Sequence, residues 1–139
     1  MNFKYIISYG GLIPFFIFLI DIHTSNYLDH IFILNMSLYM SCIIFTFIGA
    51  YNWDFYKDNF LVEFYGFIPS LISMTLILLN QLAYEKEFIF QILVLCLLIQ
   101  LTIDFILVIK KLFPMKYFIN LRIPVTGILS LCLILISRI

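Results

Sequence analysis

Five long apolar stretches, separated by short segments that carry most of the charged residues, dominate the pattern along the 139-residue chain. The apolar stretches occupy residues 5–22, 31–53, 61–83, 88–109 and 121–138. At a helical rise of about 1.5 Å per residue, each stretch reaches roughly the ~30 Å thickness of a hydrocarbon core. The pattern therefore predicts an all-α integral membrane bundle of five transmembrane helices, with residues 1–139 forming a single transmembrane domain.

Small or polar residues recur along one face of three of these stretches. Their spacing alternates between three and four residues, which places them on one side of a helix. In lipid, helices meet along such faces because small residues let backbones approach and hydroxyl groups find partners. We therefore expect helix packing along these seams; the alternative is that part of a seam lines a cavity. The seams are Asn35, Tyr39, Cys42, Thr46, Gly49 and Trp53 in the second stretch, Glu63, Gly66, Ser70, Ser73, Ile77 and Asn80 in the third, and Arg122, Thr126, Ser130, Leu133 and Ser137 in the fifth.

Two prolines lie well inside the apolar stretches. Pro14 follows the pair Gly10 and Gly11 in the first stretch, and Pro69 precedes Ser70 in the third. A proline inside a helix removes a hydrogen bond and clashes with the preceding turn. Both spans are therefore predicted to bend at their proline.

The start of the fifth span has its own local pattern. Asn120 stands directly before the apolar stretch that begins at Leu121, and an asparagine at this position is typical of a helix N-cap. Pro124 is then predicted to lie in the first turn, where amide hydrogens lack helical partners and a proline is tolerated.

Composition excludes a globular cytosolic domain. Only 12% of the residues are charged, whereas soluble proteins average about 25%, and the mean hydropathy is +1.11. The formal net charge is zero, so the charge balance gives no indication of a nucleic-acid partner. The three cysteines show no paired spacing, which favours buried apolar side chains over disulfides or a metal site.

The basic residues predict an orientation. If the N-terminus faces the cytoplasm, six Lys and Arg residues lie on the inner side and only Lys86 and Arg138 on the outer side. The positive-inside rule therefore predicts a cytoplasmic N-terminus, with the C-terminus on the opposite face. The basic segment before the fifth span is interpreted as a topology determinant, or alternatively as a site for anionic lipid headgroups. The six inner residues are Lys4, Lys57, Lys110, Lys111, Lys116 and Arg122.

Asp104 is the strongest candidate for a functional residue. It lies about six residues inside the fourth span, roughly 9 Å deep by helical rise. An ionised carboxylate at such depth costs on the order of 3 kcal/mol, so these residues usually face the bundle interior and are paired. Arg122 is expected at a similar depth, and Gln100 one turn away from Asp104 on the same face. We therefore predict an Asp104–Arg122 ion pair, which either fixes the register of the last two spans or forms a proton or ion site.

Other polar residues are expected near the same inner level. Asn52, Trp53 and Asp54 close the second span, and Glu63 lies near the start of the third. Trp at a membrane boundary is first an interfacial anchor, but together with Asp104 these residues also allow an inward-facing polar pocket. No catalytic residue, cofactor or metal site is predicted, because the chain has no Gly-rich phosphate loop, HExxH or GxSxG motif.

Five ordered segments carry a resemblance to a known family. They are GGLIPF at 10–15, FIGAYNW at 47–53, IPSLI at 68–72, Asp104, and YFINLRIPVT at 117–126. Together they resemble the transmembrane protein 69 family, an uncharacterised group of small polytopic membrane proteins of bacteria and mitochondria. The family's second motif has His before Trp and Gly after it, whereas Asn52 and Asp54 stand here, which argues against borrowing a metal- or proton-handling role for that position. The resemblance implies a bacterial cytoplasmic or a mitochondrial inner membrane and supplies no activity.

These observations support three hypotheses for function. The first is a non-enzymatic accessory or assembly component that docks through its helix seams onto a larger membrane complex. The second is a proton or small-solute transporter that uses Asp104, and the third is a lipid- or quinone-modifying membrane enzyme. Expected partners are membrane lipids and either a larger membrane complex or further copies of this chain, with no nucleic acid. The expected location is the bacterial cytoplasmic membrane, or the mitochondrial inner membrane if the chain is eukaryotic.

Overall fold

The computed structural model of this protein describes residues 3–24, 26–51 and 60–139. Within these ranges the chain is helical apart from short connections and contains no strand. The elements are α1 (Phe3–Gly10), α2 (Ile13–Thr24), α3 (His30–Ala50), α4 (Phe60–Gln81), α5 (Lys86–Ile109), α6 (Met115–Tyr117), a π-helical turn (Phe118–Arg122) and α7 (Ile123–Ile136).

Five helical segments are long and apolar enough to cross a membrane, which confirms the predicted all-α architecture. The first span combines α1 with α2, and the fifth combines α6, the π-helical turn and α7. Successive spans cross in opposite directions, so α3 and α5 finish at the same end of the bundle. We call this end the Ala50 end, after the last residue of α3. The spans are Tyr5–Thr24, His30–Ala50, Phe60–Gln81, Lys86–Ile109 and Met115–Ile136.

The first span is interrupted before its proline. α1 ends at Gly10, a turn follows, and α2 begins at Ile13 with Pro14 as its second residue. Glycines are poor helix formers, and a proline fits the first turn of a new helix, where its missing N–H has no partner to lose. The predicted irregularity is therefore present, but it lies at the glycine pair and not at Pro14.

The third span shows a different outcome at its proline. α4 continues as one helix through Pro69, so the proline does not interrupt the element, and the bend stays a prediction. Helices in lipid tolerate proline when neighbouring groups compensate for the lost backbone bond. The Pro69 ring packs into the contact with α3, and the following Ser70 donates its hydroxyl to the Phe67 carbonyl at 2.7 Å.

The fifth span begins at Met115 and not at residue 121, so the prediction that Asn120 caps this helix is wrong. Pro114 has an extended conformation (φ −66°, ψ 120°), and the helix starts at the next residue. Asn120 therefore lies inside the π-helical turn. Because Pro124 has no N–H, the Asn120 carbonyl cannot accept the regular bond from the residue four positions on. The Tyr9 hydroxyl of the first span donates to this carbonyl instead, at 2.6 Å.

The predicted seams of α3 and α4 face each other. Near the middle of the two helices, the Ser73 hydroxyl donates to the Cys42 carbonyl at 3.0 Å. Towards the end of the bundle opposite Ala50, the Asn80 side-chain amide donates to Asn35 Oδ1 at 3.3 Å. In each pair the residue numbers sum to 115, so a single antiparallel register holds from one contact to the next. Packing between the two seams is confirmed from Asn35 to Gly49 and from Gly66 to Asn80, whereas Glu63 is exposed and Trp53 lies outside the described residues.

The same register brings the two backbones close together at the Ala50 end. A Cβ atom added at Gly49 of α3 would lie 2.6 Å from Pro69 Cγ and 2.7 Å from the Gly66 carbonyl oxygen of α4. Real Cβ atoms do not approach other heavy atoms this closely, so only glycine fits. Small residues at helix interfaces in membranes permit such close approach.

α7 lies at the centre of the bundle, in contact with α2, α3 and α5. Half of the fifth span is buried, against 22–33% for the other four. Its buried face includes the seam residues Arg122, Thr126, Ser130 and Leu133. Large aliphatic and aromatic side chains remain exposed on the outer faces of the helices, as expected for surfaces that meet acyl chains.

Candidate functional site

Asp104 and Arg122 form an ion pair between the fourth and fifth spans. Arg122 Nε lies 3.3 Å from Asp104 Oδ2, and the two side chains are 3% and 1% exposed respectively. The pairing predicted from their depth in the sequence is therefore present. Charged residues inside a membrane protein normally face the interior and pair with one another, because each alone is costly in lipid.

The Arg122 guanidinium also binds the end of α3. Its Nη2 atom donates to the Ile48 carbonyl at 2.7 Å, and Ile48 lies in the last turn of α3, where helix carbonyls generally need partners from outside the helix. The carbonyl end of a helix carries partial negative charge, which favours a cation there. Arg122 is the last residue of the π-helical turn, a widened geometry that recurs at functional sites. One side chain thus connects α3, α5 and the fifth span.

Tyr65 of α4 adds a fourth element to this network. Its hydroxyl lies 3.4 Å from Asp104 Oδ1 and donates to the Gln100 carbonyl at 3.2 Å. Tyr65 was not among the residues predicted from the sequence, because it lies off the polar seam of its helix. The feature of the sequence that could have indicated a role for Tyr65 is its position next to Gly66, where α3 and α4 approach each other. The network therefore reaches four of the five spans.

Aromatic rings surround the guanidinium on the side towards the Ala50 end. Its Cζ atom lies 5.8 Å from the centre of the Phe113 ring and 6.0 Å from that of Tyr117. Tyr117 in turn stacks on Tyr51, with ring centres 5.1 Å apart and planes at 12°. Cations are attracted to the faces of aromatic rings, so these rings both stabilise the charge and shield it from water.

Of the other predicted site residues, only Gln100 is placed next to the ion pair by the described part of the structure. Gln100 is buried one turn from Asp104, and its side-chain amide makes no hydrogen bond to another described residue. Glu63 is exposed in the first turn of α4. Asn52, Trp53 and Asp54 lie outside the described residues. The structure therefore brings Gln100 next to the ion pair, and it places Glu63 on the surface of the bundle.

A groove of about 370 Å³ lies between the first span, α3 and the fifth span. Most of its wall is apolar, with Ile7, Met40 and Phe47 among the lining residues. Arg122 and Thr126 also line it, so the alternative that part of a seam borders a cavity is correct for the fifth span. The groove was not predictable from the sequence, because the residue types that line it are the same as those on the lipid-facing surfaces of the helices.

The fold and the buried ion pair define a small helical membrane protein with several spans. No family model, no curated protein and no solved structure matches this chain. The described residues contain no group of three or more His, Cys, Asp or Glu side chains placed to hold a metal ion.

Proposed function

We propose that this protein is a non-enzymatic component of its membrane, acting as an accessory or assembly factor for a larger membrane complex. The observation that carries this proposal is the position of Asp104. Its carboxylate is 1% exposed and paired with Arg122, while the same arginine holds the last turn of α3. The charges inside the membrane thus connect helices to one another, which supports a structural role, as a scaffold, over a role in transport.

Energetics support the same conclusion. Removing one member of a buried ion pair costs about 3–5 kcal/mol, because the remaining charge is left uncompensated. A proton carrier at Asp104 would neutralise the carboxylate in each cycle and leave the 3% exposed Arg122 side chain with that penalty. A carboxylate that serves to hold four spans together has no such requirement.

The mode of docking differs from the one expected from the sequence. The seams of α3 and α4 pack against each other over most of their length, and the seam of the fifth span is largely buried in the bundle. We therefore propose that a partner contacts the outer faces of the helices, where large apolar side chains are exposed. We further propose a cytoplasmic N-terminus, location in a bacterial cytoplasmic or mitochondrial inner membrane, and membership of the transmembrane protein 69 family.

Purification of the full chain in native nanodiscs, without detergent, tests the proposal. We expect the 16.5 kDa chain to elute in a particle with a second membrane protein at fixed stoichiometry, as measured by native mass spectrometry. Asp104→Asn should lower the yield of this particle because the bundle is less stable, whereas Glu87→Gln, at an exposed position, should not. Recovery of the wild-type chain alone, folded and without a protein partner, would contradict the proposal.

One observation favours a second candidate, a proton or small-solute transporter. Gln100 is 4% exposed, and its amide lies unpaired among the described residues, one turn from Asp104. Buried amides are normally hydrogen-bonded, and a transported solute passing Asp104 would supply the partner. Flux of protons into liposomes that contain the protein tests this candidate. A flux that is lost in Asp104→Asn and kept in Glu87→Gln would favour it over the scaffold.

A further inference from the structure

We propose that the groove between the first span, α3 and the fifth span binds an anionic phospholipid, with an acyl chain along the groove and the headgroup at the Ala50 end. This site does not depend on the proposed scaffold function, although Arg122 contributes to both. Four features of the groove support the assignment. They are its length and volume, its access from the surrounding lipid, its polar end, and the charge next to that end.

The groove has the dimensions of one acyl chain in one leaflet. Along α3 its lining runs from Met40 to Tyr51, which is roughly 16 Å of helix. This is about half of the ~30 Å hydrocarbon thickness. Its volume of about 370 Å³ falls in the range of small-ligand sites, which runs from about 300 to 1,000 Å³.

The groove is accessible from the surrounding lipid. Ile7, Ile43 and Phe47 line it and are each more than half exposed. The break between α1 and α2 lies on the opposite wall, where Gly11 keeps the wall free of a side chain. A Cβ added at Gly11 would make only ordinary contacts, the nearest at 3.5 Å. An acyl chain can therefore enter from the side without displacing the core.

The polar end of the groove lies at the Ala50 end. Tyr51, Tyr117 and Arg122 line it there, and tyrosines at this level are typical of a membrane–water interface. The two stacked rings share a side-chain hydrogen bond, so a polar pair of hydroxyl groups lies at this end of the groove. Arg122 is buried and paired with Asp104 and the Ile48 carbonyl, so it adds little net charge to this end of the groove.

Lysines supply the net charge that selects the headgroup. Lys110, Lys111 and Lys116 are exposed in the segment that leads into Tyr117, and no acidic residue occurs between positions 105 and 139. Glu63, in the first turn of α4, is an exposed carboxylate at the same end and offsets part of this charge. Basic residues at the membrane surface attract anionic lipids, and each contributes roughly fivefold in affinity. The combination of an apolar groove and an adjacent cluster of three lysines favours an anionic phospholipid over a zwitterionic one.

Lipid retention in nanodiscs tests the proposal. The protein is inserted into phosphatidylcholine nanodiscs that contain a minor fraction of phosphatidylglycerol, and native mass spectrometry measures which lipids stay bound after release. Ile43→Trp fills the groove from an exposed position, and Ile99→Trp adds the same ring at an exposed position of α5 outside the groove. A triple variant, Lys110→Gln, Lys111→Gln and Lys116→Gln, removes the charge without touching the core; Arg138→Gln removes a charge at the other end.

We expect the wild-type chain to retain phosphatidylglycerol above its bulk fraction. Ile43→Trp should abolish this retention and Ile99→Trp should not. The triple lysine variant should reduce the preference for phosphatidylglycerol by on the order of a hundredfold, while Arg138→Gln leaves it unchanged. Retention that survives Ile43→Trp would overturn the groove as the site. Equal retention of the two lipids by wild type, or a preference unaffected by the triple variant, would overturn the anionic assignment.

Discussion

Replacing one member of the Asp104–Arg122 pair should destabilise the fold nearly as much as replacing both. In Asp104→Asn the guanidinium stays buried without its carboxylate, and in Arg122→Gln the carboxylate stays buried without its cation. Removal of one partner from a buried pair costs about 3–5 kcal/mol. The side chains are 3% and 1% exposed, so solvent screening does not reduce this penalty.

The double variant carries no unpaired charge, so we expect it to cost about as much as one single variant. The coupling free energy between the two positions is then about 3–5 kcal/mol, at or above the upper end of values for residues in contact. Arg122→Gln should be the more damaging of the two single changes. It also removes the 2.7 Å hydrogen bond to the Ile48 carbonyl, and a hydrogen bond from a charged group contributes about 1.5–3 kcal/mol.

The assay is reversible unfolding in mixed micelles, with helix content measured by far-UV circular dichroism as the fraction of denaturing detergent rises. The double-mutant cycle consists of the wild type, the two single variants and the double variant. Lys116→Gln serves as a control at an exposed position of the same span. If the two single effects add to the double effect within about 0.5 kcal/mol, the two side chains are not coupled and the scaffold argument fails.

Two further predictions concern contacts between helices and use the same unfolding assay. Gly49→Ala should destabilise the fold by about 1–3 kcal/mol, because its Cβ would lie 2.6 Å from Pro69 Cγ. Gly127→Ala, with no atom within 4 Å of the added Cβ, is the matched control, and equal effects would argue against a close approach of α3 and α4. Tyr9→Phe should cost about 1 kcal/mol, because the Asn120 carbonyl loses its donor at 2.6 Å; an unchanged stability would rule that bond out.

The spans and the central ion pair were predictable because lipid leaves few solutions for polar groups. Asp104 and Arg122 are opposite charges deep in consecutive spans, and the cost of either charge alone dictates that they meet. The seams of α3 and α4 were predictable for a similar reason. A stripe of small and polar residues gains little from contact with acyl chains, so it is expected to face another helix. A stripe of leucines packs equally well against acyl chains and against a helix, so its position does not follow from the sequence.

The side chains that surround the ion pair depend on the rotation of each helix about its own axis. The pattern of apolar and polar residues along the sequence does not specify that rotation. Tyr65 and Phe113 reach Asp104 and Arg122 through the rotation of α4 and the path of the connection before α6. The early start of the fifth span was missed for a local reason. Lys116 and Asn120 interrupt the apolar pattern after Met115, although the helix already includes them.

The depth of a polar cluster should set its energetic importance, and the two ends of this bundle offer a direct comparison. Away from the Ala50 end, Lys86 Nζ donates to Asn35 Oδ1 at 2.6 Å, and the Asn80 amide donates to the same oxygen. This cluster joins three helices, against the four spans of the Asp104 network, and Lys86 is the first residue of α5 and only half-buried. A lysine near a helix end can extend its ammonium group to the interface when its partner is removed.

Asn35→Leu should therefore cost about 1 kcal/mol, well below the 3–5 kcal/mol expected for Asp104→Asn, although each change removes the acceptor of a basic side chain. Lys86→Gln, which keeps a hydrogen-bond donor, should cost less still. Unfolding of the three variants side by side measures the difference. An effect of Asn35→Leu as large as that of Asp104→Asn would mean that the joining of helices, and not the depth of the charge, determines what holds this bundle together.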